Sequence, residues 1–201
     1  MEQNGKSRGG RPWSFDRDGA IETAMLLFWQ HGYEGVSVGE LTKAIGVAPP
    51  SLYAAFGSKA GLYQLAMARY EQRMGCLDQA AIASAESLPA AVRRLLEAAV
   101  KNVTQRPHER GCMISSGLVA CHPDHAALAQ DAAARREALR VRIAQALSSF
   151  AEHDQIQRLA RHLAAVMQGI SIQARDGVSL SELGVIVDEV VAGVAARFPA
   201  S

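Results

Sequence analysis

The sequence predicts an all-α protein, with a small N-terminal three-helix unit ahead of a larger helical domain. Three observations carry this. Apolar residues recur at i, i+3, i+4 and i+7 along nearly the whole chain. Gly and Pro fall between the periodic runs, and the second half is Ala-rich with long stretches free of both, which favours helix. Nine of the 11 aromatic residues (Trp13, Phe15, Phe28, Trp29, Tyr33, Tyr53, Phe56, Tyr63 and Tyr70) lie in the first 70 residues, leaving Phe150 and Phe198 beyond. The change of composition places a boundary inside a helix near residues 60–75, and we divide the chain into 1–60 and 61–201.

The first helix starts at Asp16 or Asp18, carries Ile21, Ala24, Met25 and Phe28 on one face, and ends at Gly32. Ser37-Val38-Gly39-Glu40 is a capping box that opens a short helix through Leu41 and Ile45, stopped by Gly46. Pro49-Pro50 suit a helix's first turn, where a missing N–H costs little, and that helix runs through Leu52, Tyr53 and Phe56 to Gly57. Ser58 caps the next, with Leu62, Leu65, Ala66 and Arg69 along one face. Further helices are expected at 88–105, 112–121, 124–151, 155–175 and 180–198, with Pro89, Pro107 and Pro123 at three junctions. The Val-rich run at 185–194 has strand propensity, but Leu183, Ile186, Val187, Val190 and Val194 keep the helical period for too many residues to be one strand.

Composition narrows the function classes. The 201 residues are 49% hydrophobic and 20% charged with a net charge of +1, so neither disorder nor a bulk attraction to polyanions is indicated. No stretch reaches the ~20 apolar residues that cross a bilayer. Met1 to Arg11 is polar and Gly-rich, unlike a secretory signal, and Cys76, Cys112 and Cys121 make no even disulfide framework. The chain reads as soluble and cytoplasmic, with no cofactor motif.

Three short helices, the last two joined by a tight Gly turn, suit a helix-turn-helix whose final helix enters the DNA major groove. That helix presents Ala48, Pro49, Pro50 and Ser51 at its start, then Tyr53, while Val47, Leu52 and Phe56 face inward. Small apolar groups let the backbone approach and touch a thymine methyl; Ser51 and Tyr53 can bond phosphates or bases. Lys6, Arg8 and Arg11, in Gly10-Arg11-Pro12, form a basic arm, with Arg11 suited to a narrow minor groove. Lys59 at a helix start combines its charge with free N–H groups to hold a phosphate. Six basic and six acidic groups balance within residues 1–60, so attraction must come from local placement. Spacing alone also fits any three-helix bundle.

The residues then carry a resemblance. Ile21-x-x-Ala24-x-x-Leu27-Phe28 is followed by Gly32-Tyr33-x-x-Val36-Ser37-Val38 and Leu41-x-x-Ala44-Ile45-Gly46-Val47. The series closes with Ser51-Leu52-Tyr53-x-x-Phe56-x-Ser58-Lys59-x-x-Leu62. This ordered set, within Phe15 to Tyr63 and about a quarter of the chain, resembles the DNA-binding domain of TetR-family transcriptional regulators. The resemblance implies an all-helical homodimer with helix-turn-helix heads. It also implies repression from a palindromic operator and release when a small molecule binds the C-terminal ligand-binding and dimerisation domain. Tyr53 and Lys59 match positions that hold phosphates in relatives, as Ser37 often does. Ala55 and Ala60 depart from the pattern, where Tyr or His and an acidic residue are common, and Pro49-Pro50 removes two side-chain donors.

For the second half, the resemblance implies that the last two helices form a four-helix dimer interface, and the stripe Leu159, Leu163, Val166, Ile170 is the expected contribution of the first. Met67, Tyr70 and Met74 share a face with Tyr63 and are candidate effector-pocket residues, with Met113, Phe150, Met167 and Gln168 beside them; such a stripe equally serves as plain core. Cys112, after Arg110-Gly111 at a helix start, is a candidate reactive thiol or a buried inert one. On one continuous helix Cys112 and Cys121 lie on opposite faces, ~13 Å apart, and share neither a metal nor a disulfide. Cys121, His122 and His125 could meet around Pro123, a loose spacing. No nucleophile elbow, P-loop, dinucleotide motif or His-Glu-x-x-His points to an enzyme, so catalysis would rest on the Cys/His cluster. An all-helical interaction module without DNA affinity is the other alternative.

Overall fold

The computed structural model describes residues 15–74 and 77–199. Among the described residues ten α-helices follow one another and there is no strand. The head comprises α1 (Arg17–His31), α2 (Val38–Ile45) and α3 (Pro49–Phe56), followed by α4 (Lys59–Met74). The rest comprises α5 (Gln79–Ala83), α6 (Leu88–Thr104), α7 (Met113–Ser116), α8 (Ala126–Ala146), α9 (His153–Arg175) and α10 (Leu180–Arg197), with a 3-10 turn at Pro123–His125.

Local chemistry sets the head. Asp16 caps α1 by accepting the Asp18 N–H, and Gly32 closes it at φ 75°. Ser37 and Glu40 form a reciprocal capping box on α2, and Gly46 ends that helix at φ 78° in the left-handed conformation a side chain would disfavour. α3 has no side-chain cap: Ala48 is its N-cap and the prolines fill its first turn.

Three elements differ from the sequence reading. The helix expected over 112–121 is only the single turn α7, and Leu118 turns to φ 50°. Arg136 Nη1 donates to Ile114 O (3.2 Å) and Gly117 O (2.8 Å), occupying the carbonyl that a continuing helix would offer to residue 118. The separation of Cys112 and Cys121 therefore does not rest on one helix. α5 was not expected, because five residues show no period; Asp78 starts it by accepting the Ala81 N–H. α8 stops at Ala146 rather than 151, where the Leu147, Ser148 and Phe150 N–H groups fold back in tight turns.

Two apolar cores result. One joins α1, α2, α3 and the first three turns of α4, from Ala20 to Tyr70, and takes in Met113, Ile114 and Leu128. The other runs from Ile82 to Val194. Cys112 packs against both. The stripe expected at a dimer interface turns mostly inward, since Leu159, Leu163 and Ile170 are buried in the protomer's own core. The large apolar side chains left exposed on α9 and α10 are Ile172, Leu180 and Val185.

The cores meet at Trp29. Its ring packs edge-on to Tyr70 (4.9 Å), and its buried Nε1 donates to Gly111 O at 3.0 Å. Arg175 of α9 donates to Trp29 O at 2.6 Å, and the Cys112 N–H donates to buried Ser171 Oγ at 2.8 Å. Gly111 sits at φ 79°, and a Cβ there would lie 2.8 Å from Ser171 O. Glu34, after α1, accepts the His122 N–H at 2.8 Å, and Tyr33 packs edge-on to His125 (4.8 Å).

Trp29→Phe is expected to leave Gly111 O unpaired and to lower stability by about 1–3 kcal/mol in urea denaturation. Gly111→Ala is expected to cost more, because it adds a backbone clash to an unfavourable φ.

Candidate DNA-binding face and effector cavity

α3 rests on the head through Leu52 and Phe56, which are buried, while Ala48, Pro49, Pro50, Tyr53 and Ala54 are exposed. Tyr53 is 46% exposed, a large amphipathic side chain with its hydroxyl free to reach a polar partner. Ser51 is half-buried beside it. The face is apolar and small at its start, with the one phenol a turn further on.

Ser37 and Lys59 flank this face from neighbouring helix N-termini, and both are locally restrained. The Ser37 hydroxyl accepts the Glu40 N–H at 3.1 Å and donates to Glu40 Oε2 at 2.7 Å. The Ser37 backbone N–H and hydroxyl hold the Glu40 carboxyl below the usual carboxylate range. Lys59 Nζ stands 4.3 Å over the Tyr33 ring, a cation–π contact that aims the ammonium. Burial lowers the Lys59 pKa, against the opposing pull of Glu34 and Glu40. Arg17, which the sequence reading passed over, lies 5.3 Å from the Phe56 ring and brings a second cation beside α3. Its position at the start of α1 could have suggested this. Arg8 and Arg11 lie outside the described residues.

In the second domain a cavity of about 450 Å³ opens between the end of α4, α5, α6, α7, α8 and α9. Of the residues expected at an effector pocket, Tyr70, Cys112 and Met167 line it. Burial, reinforced by the neighbouring Cys112 thiol, pushes the Tyr70 phenol far up. Met113 lines a separate pocket of about 210 Å³ at the domain junction, with Phe28, Tyr63 and Arg175. Met67 is buried in the first core. Phe150 packs against the second core, and neither it nor Gln168 is among the residues lining either space. The Met74 side chain lies outside the described part.

The sequence reading missed Leu95, Asn102, Leu139 and Arg142 as cavity residues. One signal was available: Arg142 interrupts the run Leu139, Ile143, Ala146 on the inward stripe of α8. The Cys/His segment is spread out. His122 and His125 rings are 6.3 Å apart, Asp124 N–H donates to His122 Nδ1 at 3.3 Å, and His125 Nε2 is 3.9 Å from Glu34. Among the described residues, no three His, Cys, Asp or Glu side chains gather as a metal site. Nor is any helix there long and apolar enough to cross a membrane.

A head that turns one short helix outward, fastened to a helical domain holding a cavity, defines a helix-turn-helix DNA-binding transcriptional regulator. Residues 20–66 match the family model "Bacterial regulatory proteins, tetR family". The chain is 36% identical over 186 residues to the HTH-type transcriptional repressor ComR of Escherichia coli (strain K12), covering 89% of this chain and 88% of that one. It is 32% identical to the repressor BdcR of the same organism, covering 87% and 86%. A cysteine mutant of the TetR-family regulator CifR, solved with a 26-bp double-strand operator DNA, superposes with a TM-score of 0.81 at 34% identity, covering 90% of this chain and 98% of that one. The chain belongs to the TetR family of bacterial transcriptional regulators.

Tyr63 joins the head to this architecture, edge-on to Phe28 and Tyr33 at 5.1 Å each. Burial pushes its phenol from 10.0 up to about 12. Above pH 10 the unfolded chain releases that proton first, so stability is whole below pH 10 and falls as pH rises toward 12. Denaturation midpoints across that range are expected to show the loss, and Tyr63→Phe to lessen it, the raised phenols of Tyr33 and Tyr70 supplying the rest in the same direction.

Proposed function

We propose that the protein is a repressor that binds a palindromic operator as a homodimer and leaves it when a small molecule fills the second-domain cavity. The observation that carries this is the outward face of α3, with Tyr53 exposed and Lys59 held beside it by Tyr33. Residues 1–60 act as the reading head and 61–201 as the sensing and pairing domain. Ala48, Pro49, Pro50 and Ser51 approach the groove edge; Ser37, Tyr53 and Lys59 take phosphates; Arg8 and Arg11 extend the footprint. With few side-chain donors on α3, this head leans on phosphate, methyl and arm contacts more than on base hydrogen bonds.

Pairing draws on the apolar side chains left exposed on the last two helices, Ile172, Leu180 and Val185. Two heads must then stand about 34–36 Å apart to meet successive major grooves. A ligand works by changing that spacing. The wall residue Cys112 follows Gly111, whose carbonyl holds Trp29 of α1, so displacing the wall pulls on the head. A thiol-reactive compound at Cys112 would press on the same joint, since its sulfur lies against Tyr70 in the cavity wall. The protein has no catalytic role in this reading and acts in the cytoplasm.

Recovery of fragments from sheared genomic DNA at about physiological salt tests the reading. Enrichment of one or a few palindromic sites supports it, and no enrichment even at low salt overturns it. On the recovered operator, Lys59→Met is expected to weaken binding and to shallow the slope of log K against log salt by about one per head. An electrophile is expected to release the operator and Cys112→Ser to prevent it; unchanged release in that variant would rule the thiol out as the trigger.

A further inference from the structure

We propose that the cavity beneath α5 takes a small amphipathic anion, a carboxylate with an apolar tail, whose charged end is held by Arg142. This names the class of effector and rests on the reading of the cavity as the sensing site. Most of the wall is hydrocarbon, with Leu95, Val103, Ile114, Leu139 and Met167 facing the space. The volume of about 450 Å³ suits a small molecule.

The charged groups around it are accounted for, with one exception. Asp78 caps α5 through its carboxylate, Arg94 donates to Ala81 O at 2.7 Å, and Glu97 lies 3.4 Å from Arg93. Lys101 is exposed to solvent. Arg142 is half-buried, its Nε is closed off from solvent without a hydrogen-bond partner, and among the described residues it makes no ion pair.

Other partly buried arginines nearby are tied down. Arg110 and Arg175 also have an unbonded Nε, but each donates through Nη2 to a backbone carbonyl, of Val178 and Trp29 respectively. Arg135 pairs with Asp131 and Glu71, and Arg136 and Arg140 donate to carbonyl and carboxylate oxygens.

Withdrawing a guanidinium N–H from water without a partner is unfavourable, and the group keeps its charge at any physiological pH. A carboxylate matches its planar fork with two parallel hydrogen bonds. A neutral hydroxyl can accept a single N–H but leaves the positive charge uncompensated, and a cation would be repelled. Asn102 and the Tyr70–Cys112 pair line the same space and add polar contacts for selectivity.

Calorimetric titration of the full chain with octanoate, octan-1-ol and octylamine, in the absence of DNA, tests the proposal. Octanoate is expected to bind about tenfold or more tighter than octanol, with octylammonium weakest. Arg142→Met is expected to erase the advantage of the acid while octanol still binds, and Arg142→Lys to keep part of it. Equal binding of acid and alcohol, a preference for the amine, no binding of any of the three, or an unchanged Arg142→Met would each overturn it. If the Met variant does not fold, the ranking of the three ligands on the wild-type chain decides. Octanoate binding by a protein that enriches no operator would overturn the regulator reading and leave this one standing.

Discussion

The hydrogen bond from Trp29 to Gly111 is the constraint on which the arrangement of the two domains depends. It lies between residues 82 positions apart, is buried, and is reinforced by Arg175 donating to the carbonyl of the same tryptophan. A buried carbonyl must be paired, so Gly111 cannot move without Trp29 following or a cost being incurred. Gly111 in turn stands at a left-handed φ, and Ser171 and Arg175 crowd the place where a Cβ would be, so the position is restricted to glycine twice over. α1, α9 and the loop ahead of α7 are thereby held in one piece.

α4 gives this joint its reach. Its first turns carry Leu62, Tyr63, Ala66 and Met67 in the head's core, and Tyr70 then touches both Trp29 and Cys112. The helix thus begins beside α3 and ends beside the cavity. On its outer side Arg69 pairs with Asp18 at 2.6 Å and Arg73 with Glu22 at 2.5 Å, so α1 and α4 are bound by charge outside and aromatic packing inside. The exposed pairs add little by themselves; the packing dominates.

Much of the head was legible in the sequence because its determinants are local. A capping box, a glycine at each C-cap and a proline pair in a first turn act within four residues of one another, and the structure shows each in its role. The cavity was only partly legible. Tyr70 and Met167 advertise themselves as adaptable lining, yet Met67 is of the same type and lies in solid core. Residue type shows what a side chain can do, and only the packing of helices distant in sequence says whether space was left beside it. Arg142 was visible as a charge on an apolar stripe; that it is unpaired was not.

By itself the sequence determined the all-helical class and the short capped helices of the head, because periodicity, caps and turns are properties of neighbouring residues; that the head is a helix-turn-helix rested on the family resemblance, since the spacing fits any three-helix bundle. The end of α7 was decided elsewhere, by Arg136 of α8 taking the Ile114 and Gly117 carbonyls. So was the inward turn of Leu159 and Leu163, which the second core claims for itself. Those outcomes depend on contacts between segments far apart in the chain, and a one-dimensional pattern holds no record of which distant carbonyl, core or cavity a side chain will meet.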